Sequence, residues 1–576
     1  MTDWLDRFES VWLIDFEFSA PPGERPTVVC LVARDFHSNR IIRIGFNEIN
    51  GMEHPPFDLG EQSLFVAYFS SAEWNCFRAL GWPIPVRVLD LWCEFRNLLN
   101  GSKPPAGWGL LGCLTFHGLD SIDACEKSEM RELAIRGGPY TCDEILSLLD
   151  YCQSDVDALA KLLPVMLPKI DFPRAIHRGR YMLAVSAMEH AGVPIDVETL
   201  TLFRRHWSSI KQSLIGSVDE SYRVFDGLTF KRDRFASYLI HNGIPWPTTE
   251  TGRLALDGDT FRQQAKAYPQ VAPLHELRHA LSELKLEDLQ VGSDGRNRTM
   301  LRPFASRSGR NQPSNTKFIF GPSVWLRSLI KPSRGRSVAY IDWSQQELGI
   351  AAALSRDPAM AQAYASGDPY LEFARMAGAV PPSATKHTHS HERALFKQCM
   401  LATQYGQREH GLAMKLNKPV AQARNLLRQH AETFSTFWRW SQQQVDTGML
   451  TGSLQTVFGW KIHTVGGDNP RSLANFPMQA NGAEMMRLAC SMTTEAGITV
   501  CCPVHDAILI EADTANIERD VARTQEIMRE AARIVLDGFT LQSDAKVVSW
   551  PDRYVDEERG RVMWNKVVHL TTEADR

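Results

Sequence analysis

Residues 337–348 read SVAYIDWSQQEL and residues 498–512 read ITVCCPVHDAILIEA, and these two stretches decide the architecture of the carboxy-terminal half. The first is a strand pattern that ends at Asp342. The second is a pair of β-like runs around a bend, a hairpin that carries His505 and Asp506 to its tip. Two aspartates delivered by separate strands are what a two-cation phosphate chemistry requires. Between them lies RALFKQCMLATQYG, residues 393–406, where Arg393, Lys397, Leu401 and Tyr405 are spaced four apart and form one slowly rotating stripe on a helix. Arginine and lysine at its start can grip phosphates, with help from the helix dipole at that end.

The charge distribution points the same way. The net charge of −4 over 576 residues is unpromising for a polyanion partner. Yet Gly295 to Ile341 holds ten Lys or Arg and no Asp or Glu, and that cationic strip runs up to Asp342. Such a stripe suits a nucleic-acid backbone, with affinity that falls steeply with salt. The chain is too long for one core, so three or four units are expected. No secretory signal or bilayer-spanning run is found, and eleven Cys without a CxxC pair fit a reducing cytoplasm. Cys501 and Cys502 read as core.

The first 170 residues read as an α/β unit: strand patterns VWLIDFEF, VVCLVARDF and SLFVAYF, then helical patterns through EILSLLDYCQSDVDALAKLL. Asp15 and Glu17, two apart in a strand, leave the same face of the sheet, where only a cation relieves their repulsion. Tyr151 and Asp155 stand one helical turn apart and share a face. Glu73, opening the helix after SLFVAYF, can reach the same centre; Asp90 in RVLDLW is the alternative middle acid. Together these residues can hold two divalent metals, with Tyr151 orienting an attacking water.

This unit resembles the 3′→5′ exonuclease domain of the DnaQ-like superfamily, with its DxE and YxxxD motifs. The resemblance implies an RNase H-like α/β fold and metal ligation by Asp15, Glu17, the middle acid and Asp155. YFSSAE stands where relatives commonly carry an Asn-x-x-x-Asp string. In the other half, SVAYIDWSQQEL resembles motif A of family-A DNA polymerases, RALFKQCMLATQYG motif B and PVHDAILIE motif C. RSLANFPMQANGAE matches the family's Arg, Asn and Gln at four-residue steps, and Pro477 within it suits the first turn of a helix. SRSGRNQP resembles the family's TGR motif, and MEHAGVPID its early thumb string.

The resemblance implies a right-hand polymerase of α+β palm, fingers and thumb behind a proofreading unit. The expected segments are 1–172 for the exonuclease, 173–335 for the thumb and start of the palm, and 336–356 for palm with motif A. Fingers with motif B follow at 357–450, then palm with motif C and a tail at 451–576, the last twenty residues partly free. It further implies that Asp342 and Asp506 bind two Mg²⁺, with Mn²⁺ able to substitute. Arg393, Lys397, Leu401, Tyr405, Tyr370 and Gln345 would line the dNTP, with Lys397 a general acid toward pyrophosphate. Glu347 resembles the steric gate against a ribose 2′-hydroxyl, a partner for Tyr405. Arg310, Arg471, Asn475, Gln479 and His505 would touch primer–template DNA. The expected activity is DNA-directed synthesis in replication or repair, with 3′→5′ proofreading on a single-stranded 3′ end. The alternative is an exonuclease whose polymerase half only binds DNA. A monomer in a bacterial or phage-infected cytoplasm is expected, without membrane association and, since the chain opens on the proofreading unit, without a 5′-nuclease domain.

Three departures from the family stand out. Leu401 replaces a Phe or Tyr, which predicts poor use of dideoxynucleotides. Ala507 replaces the acid that often follows the motif C aspartate. Tyr370 in GDPY replaces a histidine near the triphosphate. Elsewhere, KHTHSHE (386–392) reads as a fingers-side loop rather than a zinc site, Trp438 and Trp440 as core, and Glu511 as a solvated acid.

Overall fold

The computed structural model describes residues 4–119, 124–249, 251–283, 286–321, 323–404, 406–416, 418–464 and 469–575. The amino-terminal strands are β1 (Ser10–Ser19), β2 (Thr27–Asp35), β3 (Ile41–Ile44), β4 (Ser63–Ala67) and β5 (Arg87–Asp90), in sheet order β3-β2-β1-β4-β5. β4 and β5 continue β1 in parallel, while β2 and β3 are antiparallel to their neighbours. Val11 to Ile14 is an unbroken apolar run because β1 is covered on both faces. Val11 and Leu13 join a cluster with helix Cys142–Met166; Trp12 and Ile14 join Trp74 and Phe77 on the other side. The helices here that bear on the site are α1 (Ser71–Ala79), α2 (Leu91–Leu99) and α3 (Cys142–Met166). Thr141 and Glu144 form a reciprocal capping box at the start of α3, which sets where Tyr151 and Asp155 fall along it.

Helix α4 (Phe172–Ala191) joins the two halves of the molecule. It lies against α1 and β5 on one side and against helix Pro470–Glu495 and strand Thr499–Val504 on the other. The contact with β5 is so close that a Cβ added at Gly179 would stand 2.0 Å from the Val88 carbonyl oxygen. Arg178, one residue earlier, makes a two-pronged ion pair with Glu94 of α2 at 2.6 and 2.7 Å, with both side chains almost fully buried. Beyond α4 the chain is helical, in segments Val197–Asp219, Arg232–His241, Gly258–Ala267 and Ala272–Glu283.

The second sheet contains β6 (Arg336–Trp343), β7 (Thr499–Val504), β8 (Ala507–Asp513) and β9 (Ser543–Ser549), antiparallel throughout in the order β7-β8-β6-β9. Around it stand α5 (Gln346–Ser355), α6 (Ser390–Gln404), α7 (Pro470–Glu495) and α8 (Ile517–Val535). Cys501 and Cys502 are core, as expected.

Four local expectations are corrected. The chain's end packs: helix Arg561–Ala574 buries Trp564, Val567 and Thr571 at three- and four-residue steps against helix Val197–Asp219. Pro477 lies inside α7, because Asn469 caps that helix and Pro470 already occupies its first turn. Glu511 is 3 % exposed and bonds Arg296 at 2.5 Å, with Arg336 at 3.5 Å, so a buried acid is compensated rather than solvated. Trp438 is 38 % exposed and donates its indole N–H to His430 Nδ1 at 3.0 Å; Phe437 takes the core position instead. Among the described residues, no helix is long and apolar enough to cross a membrane.

Breaking a buried ion pair by removing one partner strands the other charge, a loss of about 3–5 kcal/mol. Arg178→Ala, which leaves Glu94 buried and alone, is therefore expected to lower unfolding free energy by about that amount in urea titrations. A loss under about 1 kcal/mol would show that solvent reaches Glu94.

Candidate active site

The strand register brings the two motif aspartates together. Asp342 pairs with Ala507 of β8, and the Trp343 amide donates to the Asp506 carbonyl at 3.1 Å, so Asp506 at the hairpin tip adjoins Asp342 at the strand end. The two-residue loop between β7 and β8 closes with His505 at φ 53°, and Gln345, after the end of β6, stands at φ 48°. Both are non-glycine residues in the left-handed region, a cost of order 1 kcal/mol each that the surrounding structure must hold. Burial first, then Asp506 and Asp544, raises the Asp342 carboxyl to about 6. Asp506 is also raised by burial, against the pull of His505 and Arg310.

A cleft of about 420 Å³ opens beside this pair, lined by Arg310, Gln345, Glu347, Tyr370, Leu401 and His505 with Asp506. Residues from five separate sequence motifs thus share one wall. Glu347 lies 3.6 Å from Arg310. The Arg393 guanidinium and Lys397 ammonium sit 5.5 and 5.6 Å from the centre of the Tyr370 ring. Arg393 also bonds Asp368 at 2.5 Å. Because α6 begins at Ser390, Lys397 is past its first turn, and dipole assistance at the helix start reaches Arg393 only. Tyr405 lies outside the described residues. Arg471, Asn475 and Gln479 follow one face of α7 and are at least partly exposed. Gly406 adjoins Arg471 at φ 62°, where an added Cβ would stand 2.4 Å from Arg471 Cγ. Of the KHTHSHE residues, His387 and His389 precede α6 and His391 lies in its first turn.

A second carboxylate centre lies in the amino-terminal unit. Glu73 is 4 % exposed, its Oε2 is buried without a hydrogen-bond partner, and burial, then Asp15, Glu17 and Asp90, raises its carboxyl well above the usual range. Tyr151 hydrogen-bonds Asp155 and has Glu17 and Asp15 as electrostatic neighbours. Cys152 Sγ donates to the Asp15 carboxylate at 3.3 Å. Asp90 is spent elsewhere: Oδ1 caps α2 through the Cys93 amide at 2.9 Å, and Oδ2 accepts from the Ser70 amide and hydroxyl at 2.7 and 2.8 Å. The orphaned Glu73 oxygen beside two further acids fits an all-oxygen cation site. Among the described residues, no three His, Cys, Asp or Glu side chains stand arranged to hold an ion by themselves.

The sequence profile of DNA polymerase family A matches residues 318–547, the span that contains Asp342, α6 and Asp506. That span is similar to DNA polymerase family A. Among relatives, a thermostable DNA polymerase I of Thermus caldophilus is 25% identical over 309 residues, 49% of this chain and 37% of the relative. DNA polymerase I of Aquifex aeolicus is 25% identical over 443 residues, covering 69% of this chain and 75% of the relative. The chain thus spans little more than a third of the Thermus relatives it matches. The fold is that of the polymerase domain of Pol1 from M. smegmatis, solved with DNA primer-template and dNTP, at TM-score 0.74 and 16% identity over 99% of this chain and 98% of that one.

Within the matched span, motif reading missed one carboxylate. Asp544 of β9 pairs with Asp342 on the flank opposite Ala507 and accepts from the Ser344 hydroxyl at 2.6 Å. No sequence motif marks it; only strand pairing brings it beside Asp342.

The raised Asp342 value carries a sign. An unfolded aspartate titrates near 3.9, so the ionised folded group opposes folding. The penalty is absent below about pH 4 and grows as pH rises through about 6. Cation-free protein is expected to lose thermal stability over that window, and divalent cation to restore it above pH 6. Asp342→Asn should flatten the profile; an unchanged slope in that variant would refute the assignment.

Proposed function

We propose that this chain is a template-directed DNA polymerase that adds dNTPs to a primer 3′-hydroxyl, and that its amino-terminal unit removes nucleotides from a single-stranded 3′ end. The carrying observation is the Asp342–Asp506 pair, raised by burial beside a cleft that gathers the motif residues of a family A domain. Ionised, the two side chains present hard oxygen donors that suit Mg²⁺, with Mn²⁺ able to substitute. A bound pair of such ions lowers the pKa of a primer hydroxyl and neutralises charge on the triphosphate.

The chain's own residues do the rest. Arg393 and Lys397 project from α6 as phosphate grips; Arg393 would exchange Asp368 for the triphosphate, and Lys397, exposed, can give a proton to departing pyrophosphate. The Tyr370 ring in the cleft wall stands beside both cations and attracts them through its face. Glu347, 3.6 Å from Arg310 in the cleft wall, would clash with a ribose 2′-hydroxyl. Arg310, His505, Arg471, Asn475 and Gln479 would hold the primer–template. In the second centre Glu73 is the middle acid, since Asp90 is used as a cap, and Tyr151 orients the attacking water for Asp15, Glu17 and Asp155.

Asp506→Ala is expected to cut primer extension by about 10²–10³-fold or more while leaving 3′→5′ degradation intact. Asp15→Ala should do the reverse on a labelled 3′ overhang. If either change abolished both activities in a folded protein, the two-centre assignment would fail.

Leu401 offers no hydroxyl in place of a missing 3′-OH, so dideoxynucleotides should be used poorly. A neutral hydrogen bond is worth about 1 kcal/mol, so Leu401→Tyr should raise dideoxy incorporation relative to deoxy roughly five- to tenfold in a termination assay. Equal use of both substrates by the unsubstituted protein would overturn this.

A further inference from the structure

A cleft of about 1020 Å³ separates the amino-terminal unit from the rear of the second sheet, away from both carboxylate centres. Six arginines and three glutamates line it, with His177 and His190. Four of the arginines are matched: Arg87 with Glu61 at 3.8 Å, Arg180 with Glu495 at 2.5 Å, and Arg296 and Arg336 with Glu511 at 2.5 and 3.5 Å. Arg78 is not, and Arg25 has only a long contact to Asp294, a carboxylate that Arg298 also holds. The Arg78 guanidinium meets only the Ser186 hydroxyl at 3.0 Å and the Leu183 carbonyl at 3.4 Å, with no carboxylate partner among the described residues. Arg25 donates to the His190 carbonyl at 3.3 Å and reaches Asp294 only at 4.0 Å.

These two arginines surround an unmatched group. His190 Nδ1 is buried without a hydrogen-bond partner, and Arg25, Arg78 and Arg298 are its cationic neighbours. Arg298 already holds both oxygens of Asp294, at 2.7 and 2.6 Å. Three guanidinium groups and an orphaned imidazole nitrogen therefore share one carboxylate. Clustered cations partly withdrawn from water repel one another, and an anion that joins them relieves the repulsion. A tetrahedral oxyanion suits the donors, since guanidinium forks bind phosphate oxygens in pairs and an imidazole N–H supplies one more bond. The cleft has room for a nucleoside behind the phosphate.

We propose that this cleft binds a phosphate-bearing ligand on Arg25, Arg78 and His190 Nδ1. Arg25 and Arg78 belong to the amino-terminal unit and His190 to α4, so the ligand bridges the junction between the two halves. Binding to the folded junction alone stabilises it by mass action.

The test uses the full chain carrying Asp15→Ala and Asp506→Ala, without divalent cation, so that cation-dependent binding at either carboxylate centre is removed. Inorganic phosphate, a deoxynucleoside monophosphate and a short single-stranded oligonucleotide are titrated separately by calorimetry and thermal unfolding. At least one probe is expected to bind and raise Tm, and Arg78→Gln and Arg25→Gln should each weaken that binding about tenfold or more. Binding of phosphate or mononucleotide that Arg25→Gln weakens assigns a free ligand; oligonucleotide binding alone, weakened in the same variant, assigns a strand backbone. Arg25 is half exposed, so its variant carries the test if Arg78→Gln does not fold. Absence of binding by all three probes, or binding unchanged in Arg25→Gln, overturns the proposal.

Discussion

The closeness of α4 to β5 is the constraint on which the molecule's two-centre layout depends. Gly179 lets the helix backbone lie on the Val88 carbonyl, where any side chain would collide. The neighbouring Arg178–Glu94 pair, deprived of solvent, then fixes the rotation of the helix about its axis. A steric contact and a desolvated ion pair tolerate little sliding, since either misalignment exposes a large penalty. The same helix touches α7 and the hairpin that bears Asp506. The two carboxylate centres are thus held by one rigid element rather than by a linker.

Both centres are built on electrostatic tension. Asp342 faces Asp506 and Asp544, and Glu73 faces Asp15 and Glu17, in each case with water partly removed. Like charges assembled in this way raise one another's pKa and favour any cation that relieves them. Backbone strain accompanies the tension at the first centre, where Gln345 and His505 hold left-handed conformations on either side of the aspartate pair. Strain of that kind persists only where surrounding structure enforces it, here the antiparallel pairing of β6 with β8. The basic groups are handled differently. Arg393 rests on Asp368 and Arg310 near Glu347, so each cation has an internal carboxylate partner.

Local sequence pattern determined much of this protein. Alternating and continuous apolar runs marked β1, β6 and the hairpin, and four-residue spacing marked α6 and the face of α7 with Arg471, Asn475 and Gln479. Those periods follow from strand and helix geometry alone, so the motif residues could be located without coordinates. What the tertiary structure alone decided concerns partners distant in the chain. Glu73 and Asp90 look equivalent in sequence, and only folding uses Asp90 to cap α2 and leaves a Glu73 oxygen bare. Glu511 looks solvated until Arg296, more than two hundred residues earlier, closes over it. Asp544 has no motif, yet strand pairing sets it opposite Asp342 where Ala507 supplies no charge. Periodicity reports which face a residue occupies; it carries no information about which distant charge will meet it there, because that depends on the packing of whole elements.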